Sequence, residues 1–270
     1  MLQRIITGAI IAVLMIVVVV FSGTWIFPVV MTLLTALGTY EMLCCVGTNN
    51  KLLISIPTIL SSVLSAVCAY FFGYGTCLAI IMLYLTVLLA MCVFFDEKIK
   101  VNDVFCTFTS ALYVMLCFAA FTTIRKIDGI GLYMFLLVFI AAWITDTFAY
   151  FTGIFIGKHK LIPRISPKKT IEGSIGGIVF CVIAFSVYGI VLNKCFDVDV
   201  NFPVLLAVGF VMSIISQIGD LIASAIKRSY GIKDYSNLFP GHGGILDRFD
   251  SIMILSPFLL FAAENLRIFG

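Results

Sequence analysis

Four aspartates occupy positions where a carboxylate is unfavourable. Asp146 lies in WITDTFAYFTG and Asp220 in SQIGDLIASAIKR, both late in long apolar runs, while Asp247 and Asp250 lead into a third. An Asp at the middle of a membrane-spanning helix costs about 2.5–3.5 kcal/mol, so such residues mark polar cavities and function. The runs holding Asp146 and Asp220 head toward the membrane face from which Asp247 and Asp250 start, so the four acids converge at similar depth. Any one of them, paired with a base, would be a structural ion pair. As a set they repel, and like charges at close range need a cation to offset them. Oxygen donors of this kind suit Mg²⁺, which keeps part of its water and is commonly held by one or two carboxylates plus substrate phosphates; a second cation is left open.

Bases stand beside the acids. Lys168 and Lys169 occur in SPKKTIEG, and Lys227, Arg228, Lys233, His242 and Arg248 in or next to the polar stretch before the last apolar run. Acids that hold metal, with bases that hold phosphate, make a phosphoryl- or nucleotidyl-transfer site. In PGHGG, Gly241, Gly243 and Gly244 let backbone N–H groups approach an anion, just ahead of a helix N-terminus. Taken alone, that pentapeptide is equally a tight turn. Neither a Gly-x-x-x-x-Gly-Lys-Ser/Thr loop nor a Gly-x-Ser-x-Gly elbow is present, which excludes a soluble-type P-loop and gives no sign of a serine-hydrolase nucleophile. Ser213, Ser216, Gln217, Asp220, Ser224 and Lys227 recur at three- or four-residue spacing and form one polar stripe of a helix facing protein or water. Glu41 and Glu264 sit in other apolar runs with no motif near them and are expected to be structural ion-pair partners.

The elements that must position these residues are membrane helices. The chain of 270 residues is 62% hydrophobic and 11% charged, with a mean hydropathy of +1.17, against roughly 25% charged in soluble domains. Nine apolar runs are long enough to span a bilayer: 5–22, 25–46, 52–72, 75–95, 104–124, 129–151, 174–192, 203–226 and 250–269. Their continuity argues against a β-barrel. The expected fold is all-α, a polytopic integral membrane protein with about nine helices and no soluble domain. It is read as a single membrane domain over 1–270, with amino-terminal spans in 1–128 and a catalytic half in 129–270 carrying loops 152–173 and 227–249.

The first run could pass for a secretory signal, but a second follows at once without an Ala-x-Ala cleavage site, so it reads as a retained helix. Nine cysteines include no Cys-x-x-Cys pair and fall almost entirely inside spans, where they act as small hydrophobes. With only two histidines a zinc site is not expected. Segments 96–103 and 193–201 read as short polar turns. Nine spans place 13 Lys and Arg residues on the amino-terminal side and 4 on the other, so the amino terminus and both long loops are expected in the cytoplasm and the carboxy terminus outside.

The stretch SAIKRSYGIKDYSNLFPGHGGILDRFD, from Ser224 to Asp250, closely resembles the signature of the CDP-diacylglycerol synthase (phosphatidate cytidylyltransferase) family. The matching positions are Ser224, Lys227, Arg228, Lys233, Asp234, Ser236, Phe239, Pro240, His242, Gly243, Gly244, Asp247, Arg248 and Asp250. The block WITDTFAYFTGIFIGKHKLIPRISPKKTIEGSIGG is also similar to the family, whose members often carry Arg or Lys where this chain has Ile154. The resemblance implies a Mg²⁺-dependent dimeric enzyme of the bacterial inner membrane, with its active site toward the cytoplasm. It would convert CTP and phosphatidic acid to CDP-diacylglycerol and pyrophosphate, without a nucleic-acid partner. It sets Asp220 and Asp247 as metal ligands, with Asp146 and Asp250 lining the same site. A phosphate monoester is largely ionised near neutral pH (second pKa about 6), so His242 reads as a phosphate contact rather than a base. Two other readings remain at this point: a CTP-dependent polyprenol or phytol kinase, and a transporter with an intramembrane ion site.

Overall fold

A computed structural model describes Gly8, Val13 and residues 15–270. Eight helices are labelled here: α1 (Ile26–Val46), α2 (Leu52–Phe72), α3 (Tyr74–Phe94), α4 (Val101–Arg125), α5 (Gly131–Phe155), α6 (Ile171–Phe196), α7 (Phe202–Ser229) and α8 (Leu246–Asn265). Between α5 and α6 lie two short strands, β1 (Lys160–Ile162) and β2 (Ser166–Thr170), paired antiparallel with Lys160 opposite Thr170 and Ile162 opposite Ser166. The fold is an all-α polytopic membrane protein. Among the described residues seven helices, α1 to α7, are long and apolar enough to cross a bilayer.

The expected count of nine is therefore not reproduced, for two separate reasons. The run at 5–22 falls largely outside the described residues, of which Gly8, Val13 and 15–20 are helical. The last run does form a helix, but α8 takes Asp247, Arg248, Asp250 and Glu264 into itself and is too charged to count by composition. Both polar loops are also shorter than expected. Helix α5 continues to Phe155 and α6 starts at Ile171, while α7 continues to Ser229 and α8 starts at Leu246. Lys227 and Arg228 thus occupy the last turn of α7 and Asp247 the first turn of α8. Each sign of charge sits at the helix end whose dipole favours it. The expected turn at 96–103 is shortened likewise, because Asp103 enters the first turn of α4 and bonds Lys51 at 2.5 Å. Residues 193–196, expected in a turn, are helical.

The chain divides into two compact units, Met1–Thr123 with Ser229–Phe249, and Ile124–Arg228 with Asp250–Gly270. In the first unit, α2 and α3 are separated by Gly73 alone, whose φ of 91° suits a residue without Cβ. A core of Ile54, Cys77, Ile81, Tyr84, Leu88, Val104 and Met115 packs these helices against α4. The Tyr84 hydroxyl, buried in it, shares a 2.8 Å hydrogen bond with Thr58, which meets the rule that a buried polar atom needs a partner. The ring of Phe249 packs on Phe118 and Phe121 of α4.

In the second unit α5 and α6 approach closely along small residues. A Cβ at Gly173 would lie 2.5 Å from the Ala149 carbonyl, and one at Gly177 2.9 Å from that of Thr145. Gly173 and Gly177 are four residues apart, the spacing with which small residues let membrane helices touch. The polar stripe of α7 turns inward as expected: Ser213, Ser216, Gln217 and Lys227 are buried, and Thr145 of α5 donates to Ser213 at 3.0 Å. All nine cysteines are free thiols.

Replacing Gly173 with Ala forces the α5 and α6 backbones apart, and overpacking of this kind costs about 1–3 kcal/mol. The Gly173→Ala protein should unfold at a clearly lower temperature in detergent, followed by circular dichroism. An unchanged midpoint would show that the close approach is not a constraint.

Candidate functional site

The signature loop, residues 230–245, belongs to the first unit and is shaped by two carboxylates of that unit. Its tip is a tight turn in which the His242 N–H donates to the Phe239 carbonyl at 2.8 Å. Pro240 and Gly241 fill the two central positions, and Gly241 has φ 78°, the requirement for the third residue of a type II turn. Phe239 then bridges to Gly243 through its N–H at 2.9 Å. Asp247 reaches back from the first turn of α8, where its Oδ2 accepts the Tyr235 N–H at 2.8 Å and the Gly244 N–H at 3.0 Å. Glu41, from the carboxy-terminal part of α1, accepts the Ser236 hydroxyl at 2.6 Å and the N–H groups of Ile245 and Leu246 at 2.9 Å each.

Those donors are among the N–H groups that a helix leaves unmet at its start, and α8 begins at Leu246. The pair of glycines makes room for the acceptors. A Cβ on Gly243 would lie 2.6 Å from Asp247 Oδ2, and one on Gly244 would overlap the Glu41 carboxylate. The anions met by this glycine turn are therefore the chain's own. Glu41 also departs from its expected role: it is buried, has no ion-pair base among the described residues, and caps a helix. Glu264 is exposed and likewise makes no ion pair among the described residues. The signal for Glu41 was present in the sequence, an acid inside an apolar run, the same signal that singled out Asp146.

In the same loop Lys233 is exposed, and Arg248 is exposed on α8. His242 is half-buried, and its buried Nδ1 has no hydrogen-bond partner among the described residues. Lys227 is buried and Arg228 exposed at the end of α7, in the second unit.

The other three aspartates belong to the second unit. Asp146 of α5, Asp220 of α7 and Asp250 of α8 act electrostatically on one another, with Lys169 acting on Asp146 and Lys227 on Asp250. Lys169 of β2 pairs with Asp220 at 2.5 Å and lies 3.5 Å from the Gln217 carbonyl. Gln217 is itself held: its side-chain oxygen accepts the Ser174 hydroxyl at 2.5 Å, and its amide donates to the Ser174 and Ser213 carbonyls at 3.3 Å each. The Ser251 hydroxyl donates to Asp146 at 3.3 Å, and the Ser251 N–H to Asp250 at 2.8 Å. Lys168, the neighbour of Lys169, is exposed.

The hairpin that delivers Lys169 is anchored locally. Thr170 caps α6 by accepting the Gly173 N–H at 3.1 Å, and Glu172 accepts the His159 ring nitrogen at 2.6 Å and the Lys158 N–H at 3.1 Å.

Three carboxylates against two lysines leave an excess of negative charge, and Asp146 is accessible. Among the described residues, however, no three acidic, His or Cys side chains are gathered as a cage. Hard oxygen donors without a cage suit Mg²⁺, which takes one or two carboxylates and completes its octahedron with phosphate oxygens and water. They do not suit a structural zinc centre.

Residues 2–265 match the model of the cytidylyltransferase family. The chain is 34% identical over 268 residues to a phosphatidate cytidylyltransferase of Bacillus subtilis, covering 97% of both chains. It is 35% identical over 256 residues to one of Staphylococcus epidermidis, covering 93% of this chain and 95% of that one. Over a shorter stretch of 150 residues it is 45% identical to one of Staphylococcus aureus.

Removing the Glu41 carboxylate leaves the Ile245 and Leu246 N–H groups without their acceptor, and an unmet buried donor costs about 1–3 kcal/mol. Glu41→Ala should lose roughly 3 kcal/mol in detergent denaturation and gain protease cleavage within 230–245. A variant with wild-type stability and an uncut loop would show that Glu41 does not organise it.

Proposed function

This chain belongs to the cytidylyltransferase family, and on that footing we propose that it transfers the cytidylyl group of CTP to phosphatidic acid, giving CDP-diacylglycerol and pyrophosphate. The observation carrying this reading is the likeness to a phosphatidate cytidylyltransferase along 97% of both chains. A membrane-embedded acid–lysine cluster supports it. One substrate is a lipid and the other is water-soluble, so the reacting phosphates meet where spans end in polar loops. In this reading those loops face the cytoplasm, the membrane is a bacterial inner membrane, and the enzyme is a homodimer.

A phosphate oxygen of phosphatidic acid attacks the α-phosphorus of CTP in line. The bond from that phosphorus to the bridging oxygen breaks, and pyrophosphate leaves with the electron pair. Both reactants are anions, so the protein must first offset their repulsion, and alignment supplies much of the remainder. Lys168, Lys169 and Lys227, with Arg228, are assigned to phosphate oxygens. Lys169 is held at 2.5 Å from Asp220 before substrate arrives, so a phosphate would exchange one anionic partner for another. Lys233 and His242 of the signature loop and Arg248 of α8 take the same role. The phosphate monoester is already largely ionised (second pKa about 6), so no strong base is required.

Asp220, with Asp146 or Asp250, would hold Mg²⁺, which when bound supplies the positive charge that neutralises the triphosphate. Asp247, which the resemblance also sets against the metal, first shapes the loop through its two N–H acceptances.

The test uses CTP labelled in the cytidine, incubated with purified protein and phosphatidic acid. Label should move into the lipid fraction; label recovered as free CDP beside a newly phosphorylated lipid would identify a kinase instead. Asp220→Asn should retain the fold and lose turnover by about 100-fold or more, the scale of losing a key electrostatic group. Near-normal turnover at limiting Mg²⁺ would remove Asp220 from the metal. Lys168→Ala should raise KM for a phosphate-bearing substrate with little change in kcat, and an unchanged KM would make Lys168 a solvated surface charge.

A further inference from the structure

The hairpin joining α5 to α6 holds charges that the proposed reaction does not use. From Gly157 to Thr170 the chain carries Lys158, His159, Lys160, Arg164, Lys168 and Lys169, and no acid. The nearest acid in sequence, Glu172, does not neutralise Lys158 or Lys160, because it is turned onto the His159 ring at 2.6 Å and onto backbone N–H groups. Lys158, Lys160 and Arg164 are exposed and make no ion pair among the described residues.

Three further features go with this charge. Both flanking helices are long and apolar enough to span a bilayer, so the connection between them starts and ends at the membrane surface. The pairing of β1 with β2 holds the bases in a compact ribbon instead of a loose tail. Phe155, Ile156 and Ile162 are exposed beside them. Apolar side chains next to Lys and Arg fit the boundary where acyl chains meet headgroups, with the long basic side chains reaching outward to the charged layer.

We propose that this hairpin is a docking surface for the anionic lipid headgroups of the surrounding leaflet, recognised through Lys158, Lys160 and Arg164. Juxtamembrane Lys and Arg residues near an anionic surface each add about fivefold to binding, and three of them are enough to select charged from zwitterionic lipid. A soluble acidic partner would match the charge but not the exposed Phe155, Ile156 and Ile162. The inference builds on the membrane fold and does not need the proposed reaction to be correct, so its test reads lipid binding alone.

Protein purified in a neutral detergent is mixed with equal amounts of phosphatidylglycerol and phosphatidylcholine, and the lipid retained by the intact protein is counted by native mass spectrometry. The wild type should retain phosphatidylglycerol in clear excess. Lys158→Gln/Lys160→Gln/Arg164→Gln should lower that excess by about tenfold or more, while the charge-keeping Lys158→Arg/Lys160→Arg/Arg164→Lys protein should hold it. If the neutral variant fails to fold, the wild type in about 1 M salt, where the Debye length is about 3 Å, gives the same comparison and should lose the excess. An excess unchanged by both the neutral variant and salt would overturn the proposal. So would displacement of the lipid by millimolar inorganic phosphate, which would mark a site for free phosphate.

Discussion

The signature loop depends on two carboxylates that it cannot do without. Its tip closes on itself through the Phe239 and His242 N–H groups, while the N–H groups of Tyr235, Gly244, Ile245 and Leu246 go to Asp247 and Glu41. Bonds to an ionised acceptor are about twice as strong as neutral ones, and here they also satisfy the start of α8. The two glycines follow from this arrangement, because any side chain at Gly243 or Gly244 would occupy the space of a carboxylate. A helix of the amino-terminal part of the chain thereby sets the shape of a loop about two hundred positions later.

The second unit solves a different problem. Three aspartates that repel one another are kept together by helix packing, with Lys169 and Lys227 offsetting part of the charge. The packing has to be tight for this to hold, and the close approach of α5 to α6 at Gly173 and Gly177 supplies it. Gln217 carries the constraint further, since it joins α7 to Ser174 of α6 and lies beside Lys169. What results is a set of carboxylates that Lys169 and Lys227 offset only in part.

Much of this was legible in the sequence. Long apolar runs gave the helices, and the three- and four-residue spacing of Ser213, Ser216, Gln217 and Lys227 gave a stripe that is indeed turned inward. Helix ends were less legible, because charged residues such as Asp103, Lys227 and Asp247 read as loop but are stabilised in the terminal turns by the helix dipole. The small hairpin at 160–170 was missed, since three- and five-residue strands carry too little alternation to detect. Glu41 was seen but misread. Its partners are backbone N–H groups from a distant segment, and no pattern of side-chain types announces a backbone donor.

The claim that two carboxylates hold the signature loop is tested most directly by residue-resolved amide hydrogen exchange on the wild-type protein in detergent. The N–H groups of Tyr235, Gly244, Ile245 and Leu246 should exchange far more slowly than exposed Lys233 and Asn237 in the same loop. Exchange of all four at the rate of their exposed neighbours would contradict the account.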